Sequence, residues 1–185
     1  MYTKKRYEAE ISVPEYFDQY VDIPTFIKCC QACPSYNRLW SCPSYDFDVE
    51  HYWKQYKNLY LLGYQLIFDE ESRNRTFEKK ELDSLIFKIM KEEKQIISDE
   101  LLEMEQKNPG SRSLSAGSCL ICGKDNCTRI KEEPCRFPDR MRYSIEALGG
   151  NVGKTISDLF GIQLEWMEEG RLPAHFVLVC GLLLP

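Results

Sequence analysis

At 185 residues, with 43% hydrophobic and 12% aromatic side chains, the chain is long enough to bury a real core and too apolar for wholesale disorder. Its 24 basic and 29 acidic side chains leave a net charge of −5, which argues against nonspecific nucleic-acid binding as its main role. No stretch reaches the roughly 20 apolar residues that span a bilayer, and the basic start Lys4-Lys5-Arg6 has no apolar segment behind it, so neither a membrane span nor a secretory signal is expected. The expectation is one domain over residues 1–185, in the cytoplasm.

Tyr7 to Val13 alternates apolar and polar residues and predicts a strand with one wet face, stopped by Pro14. Glu15 to Tyr20 follows as a short helical turn, and a loop rich in Pro and aromatics runs from Cys29 to Tyr45. Asp46 or Asp48 is placed to cap a short helix through Lys57. Asn58 to Phe68 is apolar almost throughout and reads as a central strand. After a polar connection at Glu70 to Arg75, a long helix is expected from Phe77 to Lys107. Leu82, Leu85, Ile86, Ile89, Met90, Ile96, Ile97 and Leu101 recur there at three- and four-residue steps, and its charged face reads as solvated. Asn108-Pro109-Gly110 ends it, and Ser111 to Gly117 forms a loop. Asp139 to Leu148 reads as a helix closed by Gly149-Gly150, and Asn151 caps another that Gly161 ends. Ile162 to Met167 and Phe176 to Leu184 are expected as two final strands joined around Gly170 and Pro173 as a hairpin. The fold class is therefore α+β: a mostly antiparallel sheet with a long helix and two cysteine-rich metal-binding loops, about 29–45 and 117–138.

Nine cysteines is an odd number, and without an export signal their thiols should stay reduced. Cys180 sits in an apolar strand and reads as core. The other eight fall at Cys29, Cys30, Cys33 and Cys42, then at Cys119, Cys122, Cys127 and Cys135, with none between. Scattered core cysteines would not group in this way, whereas ligand sets do. Cys119-x2-Cys122 lets two sulfurs of one turn converge on one centre, and Cys127 and Cys135 complete a four-thiolate set. Such soft ligands exclude magnesium and calcium and leave zinc, iron–sulfur and, less often, copper. Three close cysteines and a more distant fourth are more like a cluster loop than paired zinc knuckles.

In the first group, Cys30-x2-Cys33 has the two-residue gap, and both Cys33-Pro34 and Cys42-Pro43 carry the Cys-Pro step that ends bacterial ferredoxin loops. Cys29 competes with Cys30 as the partner of Cys33. The fourth position is Cys29, a residue from afar, or open. Tyr36, Trp40 and Tyr45 supply an apolar wall. Lys124, Arg129, Lys131, Arg136, Arg140 and Arg142 are cations in or just after the second group, and Arg136 and Arg142 are the ones expected to balance a cluster's negative charge.

Cys30-Gln31-Ala32-Cys33-Pro34-x-Tyr36-x3-Trp40-Ser41-Cys42-Pro43 resembles the first signature of the "predicted metal-binding protein" family, domain of unknown function 2284. So do Gly117-Ser118-Cys119-x2-Cys122, Pro134-Cys135-Arg136-x-Pro138 and Arg142-Tyr143-Ser144-x-Glu146-Ala147, in the same order. The resemblance spans about residues 25 to 184 and implies metal binding without a known reaction. Two departures stand out: Ser44 replaces a second proline after Cys42, and Cys127 lies farther from Cys122 than the family's third cysteine does.

No phosphate loop, dinucleotide fingerprint or metalloprotease motif is present. Gly153-Lys154-Thr155 lacks the earlier glycine of a phosphate loop and reads as helix-capping sequence, while His51 and His175 read as structural or surface residues. No catalytic residue is assigned. The metal set is Cys30, Cys33, Cys42, Cys119, Cys122, Cys127 and Cys135, holding one or two 4Fe–4S clusters. The expected role is electron transfer or redox accessory work with a redox partner protein. The competing readings are an enzyme with an open iron at the first group and a zinc-stabilised interaction module.

Overall fold

The computed structural model describes residues 1–185, with Lys124 described by its backbone alone. Its centre is the strand β2, Asn58–Phe68, whose boundaries match the sequence expectation. On one side it pairs antiparallel with β1, Tyr2–Ser12, in a register running from Tyr2 opposite Phe68 to Ser12 opposite Asn58. On the other side it pairs with β4, His175–Leu184, with Asn58 opposite Leu184. A three-residue strand β3, Arg112–Leu114, extends the sheet beyond β4, giving the antiparallel order β1-β2-β4-β3. The segment expected to be a loop thus contributes an edge strand.

Both faces of β2 are covered, which is why its sequence is apolar without strict alternation. Leu59 and Leu61 enter one core with Val13, Tyr16, Trp53, Ile145, Ile156 and Phe160. Leu62, Tyr64, Leu66 and Phe68 enter the other with Leu82, Ile89, Ile97, Leu101 and Cys180. Cys180 is fully buried, as its apolar surroundings in the sequence imply.

The first core is roofed by short helices. Ser12 caps α1, Val13–Tyr20, and Pro14 occupies its first turn, so the proline that ends the strand also starts the helix. The helix α2, Ile23–Gln31, replaces the first part of the expected cysteine loop. Asp22 accepts from Thr25 N at 3.0 Å and Pro24 pre-sets the first turn, a start signal with too short an apolar pattern behind it to show in periodicity. Asp48 caps α3, Val49–Lys54, accepting from Glu50 N at 2.8 Å. Asn151 caps α6, Val152–Phe160, and Gly161 closes it, as expected. Lys154 reaches the Gln19 carbonyl at 2.9 Å, so the Gly-Lys-Thr stretch serves this helix and its neighbour α1.

The second core is covered by α5, Lys79–Lys107, preceded by a one-turn helix α4, Glu70–Asn74, where a plain connection was expected. Not all of its charges are solvated. Glu93 is buried and accepts from Tyr2 Oη and Lys4 Nζ, both at 2.8 Å. Glu100 accepts from Tyr64 Oη at 2.6 Å and pairs with Arg6. These carboxylates fasten the helix to the edge strand β1, while Ile96, expected inward, is 53% exposed.

Two further expectations are overturned. Residues 139–148 hold only a 3-10 turn, Glu146–Leu148, because Arg142 Nη1 takes the Asp139 and Met141 carbonyls at 2.9 and 2.8 Å. The backbone there is drawn out beside β3, with Ser115 N donating to Tyr143 O at 2.8 Å. Residues 162–167 form no strand. His175 instead contacts Gln163 O at 3.0 Å, and His51 is exposed.

Gly63 marks a place where the first core tolerates no side chain: a Cβ there would stand 2.6 Å from the Phe160 ring. Gly63→Val should therefore lower the unfolding free energy by about 1–3 kcal/mol in urea titrations, by overpacking. An unchanged midpoint would show that Phe160 moves aside without cost.

Candidate metal centre

The first cysteine group starts on a helix. Cys29 and Cys30 lie on the last turn of α2, and Cys33 N donates to Cys30 O at 2.9 Å. A run of tight turns follows, with Tyr36 N on Cys33 O at 3.0 Å and Cys42 N on Leu39 O at 3.0 Å. Asn37, in left-handed conformation at φ 55°, closes the neck of this loop. Its N–H donates to Pro43 O at 2.8 Å and its side-chain oxygen accepts from Ser44 N at 2.9 Å. Cys42 ends up buried, Cys30 half-buried, and Cys29 and Cys33 exposed. Burial pushes the Cys30 thiol up to about 11, and Cys42, Cys33 and Cys29 add to it as neighbouring sulfurs. Burial likewise raises Cys42, whose neighbours include Cys33 and, from the second group, Cys127.

The second group is a series of turns that bend around one small cavity. Gly117 and Gly123 sit at φ 66° and 76°, values a side-chain-bearing residue adopts only with strain. Gly123 N donates to Leu120 O at 3.1 Å, closing the turn between Cys119 and Cys122. Thr128 Oγ1 donates to Pro134 O at 2.8 Å, which folds the chain back and brings Cys135 to the side of Cys127. All four sulfur-bearing residues line the same cavity, along with Leu39, Trp40, Ile121 and Phe137. Burial raises both Cys119 and Cys122. Cys127 and Cys135 raise each further, and Arg136 opposes the rise at Cys122. Among the described residues, no three His, Cys, Asp or Glu side chains are grouped so as to hold a single metal ion. The cavity that the four cysteines line is about 20 Å³.

Although 76 residues of sequence without cysteine divide them (43–118), the two groups form one structure. Arg129, from the second group, reaches across to the first. Its Nη1 donates to the Leu39 carbonyl at 2.9 Å and to that of Cys42. Its Nη2 donates to Asn37 Oδ1 at 3.1 Å and to the Ser44 carbonyl. The guanidinium also lies 5.3 Å from the Trp40 ring centroid. In return Trp40 Nε1 donates to Glu133 O at 3.1 Å, and the buried Ser41 hydroxyl accepts from Cys119 N at 3.1 Å.

This arrangement of thiols bears on what the chain is. The family model described as "Predicted metal-binding protein (DUF2284)" matches residues 19–184. The chain belongs to this metal-binding family. Neither the curated proteins nor the solved structures give a match. Among the described residues of this DUF2284 protein, no helix is long and apolar enough to cross a membrane.

The expected cations separate into different roles. Arg136 is exposed and its charge acts on Cys122. Arg142 is buried and its fork is filled by Glu105, Nε to Oε1 at 2.6 Å and Nη2 to Oε2 at 2.5 Å. It ties the segment after Cys135 to α5 and is not on a helix, contrary to expectation. Arg140 pairs with Asp99 at 3.2 Å, and the Lys124 side chain lies outside the described residues. Sequence inspection placed Arg129 among general cations and gave Ser41 no role. Only their long-range partners distinguish them.

Arg129→Lys keeps the charge but cannot reach four acceptors at once. It should lower stability by about 2 kcal/mol in thermal or urea melts, the scale of lost charged hydrogen bonds. Arg142→Met should cost more, about 3 kcal/mol, because it leaves the half-buried Glu105 carboxylate with only its Ser113 hydrogen bonds. Burial raises the Glu105 carboxyl, but Arg142 and Ser113 overcome this and hold it below the ordinary glutamate range. That contribution is complete above an unfolded pKa of about 4.3 and fades as pH falls through the lower folded value. The acid-unfolding curves of the wild type and a Glu105→Met/Arg142→Met variant should therefore converge at low pH; parallel curves would show that the pair carries no linked proton.

Proposed function

We propose that Cys119, Cys122, Cys127 and Cys135 hold an iron–sulfur cluster, and that Cys30, Cys33 and Cys42 supply three thiolates to a second centre. The role proposed is electron transfer, or redox accessory work, with a protein partner in the cytoplasm. The carrying observation is that four thiols, with no carboxylate or imidazole among them, line one partly apolar cavity. A polynuclear centre suits such a ring because each of its irons takes its own thiolate, and an all-sulfur donor set selects soft metals. When bound, such a cluster accepts and releases single electrons.

The residues around the thiols have separate tasks. Trp40 and Phe137 wall the cavity from solvent, which protects a cluster and tunes its potential. Arg136 offsets thiolate charge at Cys122, and Arg129 does so at Cys42 while holding that loop in shape. Burial and neighbouring sulfurs raise Cys30, Cys42, Cys119 and Cys122, which favours the protonated form at those four positions. Metal binding then releases protons, so affinity should rise with pH.

Protein purified without oxygen should be brown and contain iron and acid-labile sulfide. Cys119→Ser or Cys122→Ser should lose the second-group metal and much stability, since ligand binding and folding are coupled. Cys180→Ser should leave the metal content unchanged. Stoichiometric zinc without iron or sulfide would replace this proposal with a zinc-stabilised module.

A further inference from the structure

We propose that a large cavity beside the cysteine loops binds an amphipathic small-molecule anion, an apolar body carrying a carboxylate or similar acidic group. The cavity measures about 840 Å³, within the roughly 300–1,000 Å³ of small-molecule sites. It lies between α5 and residues 113–121, with Phe137, Arg140 and Arg142 completing its lining.

Two independent features give the ligand its chemistry. The first is exposed apolar surface. Phe87, Ile96 and Phe137 are 54%, 53% and 41% exposed, a costly state for large apolar side chains, and all three line this one cavity. The second is charge. In a chain of net charge −5, the lining carries Lys88, Lys91, Lys94, Arg140 and Arg142 against the single acid Glu92. Asp99 and Glu105 hold the two arginines, whereas Lys88 and Lys91 are exposed three residues apart on α5 and so lie on one face. An apolar body would cover the exposed rings while its acidic group meets these lysines. A purely apolar molecule would leave the lysines unanswered, and a cation would be repelled.

Cys119, Ile121 and Phe137 line both this cavity and the small one that the four cysteines surround. A bound molecule would therefore lie against Cys119. Only its closeness to a metal depends on the function proposed above; binding itself does not.

Calorimetric titration of decanoate into anaerobically purified protein, with metal content measured on the same sample, tests this. Decanoate should bind, with decanol about tenfold weaker or worse and decyltrimethylammonium not binding, since about tenfold corresponds to one modest charge contact. K88E/K91E, on exposed positions, should weaken decanoate at least about tenfold with an unchanged melting temperature. F87S, also exposed, should weaken decanoate and decanol alike. The proposal is overturned if decanoate fails to bind at millimolar concentration, if decanol matches it, or if K88E/K91E leaves its affinity unaltered. Failure of decanoate binding in metal-replete protein removes this inference alone, and decanoate binding to protein that never acquires metal removes the cluster proposal alone.

Discussion

One guanidinium holds the two cysteine stretches together. Arg129 gives its donors to three backbone carbonyls and an asparagine side chain of a loop about 90 positions earlier in the chain, and it lies over that loop's tryptophan. Backbone carbonyls in a run of irregular turns have no sheet or helix ladder to satisfy them, and a planar five-donor fork is well suited to collecting several at once. Without this contact, four of the hydrogen bonds that fix the first loop against the second would be lost. Ser41 and Trp40 return the connection in the opposite direction, so the junction is fastened from both sides.

The sheet provides the rigid support for this junction. Because β2 and β4 are buried on both faces, the short helices on one side and α5 on the other are anchored to the same strands. The first cysteine group hangs from α2 on one side, and the segment leading to the second continues from β3 at the sheet's far edge. Arg142 and Glu105 then tie the chain after Cys135 back to α5. The second stretch thus begins from a strand that the core positions, and the chain after it is tied back to α5.

Much of this was legible in the sequence where one physical signal dominated. The apolar run of β2, the Asn151 and Gly161 caps of α6, and the long period of α5 all led to the right elements. The grouping of eight cysteines likewise led to a metal-binding family. Failures came where a tertiary partner overrode a local pattern. The 139–148 stretch has helical periodicity, but Arg142 claims the carbonyls a helix would use. Residues 162–167 look strand-like, yet Glu165 accepts from Ala174 N and Gln163 O meets the His175 ring, so the segment is tied by single contacts and not by a ladder. Glu93 and Glu105 resemble their solvated neighbours on α5 until Lys4 and Arg142 appear opposite them. The joining of the two cysteine groups was beyond reach for the same reason: nothing local to Arg129 names a partner so remote.

The position of Cys42 has a consequence for how the protein takes up charge. It is the buried sulfur whose electrostatic neighbours come from both groups, Cys33 on one side and Cys127 on the other. A negative charge placed on either set is therefore felt by the other through a poorly screened interior. On the proposed reading, in which both groups take up metal, loading one would shift the affinity of the other, so a titration of either would report on its neighbour's state as well.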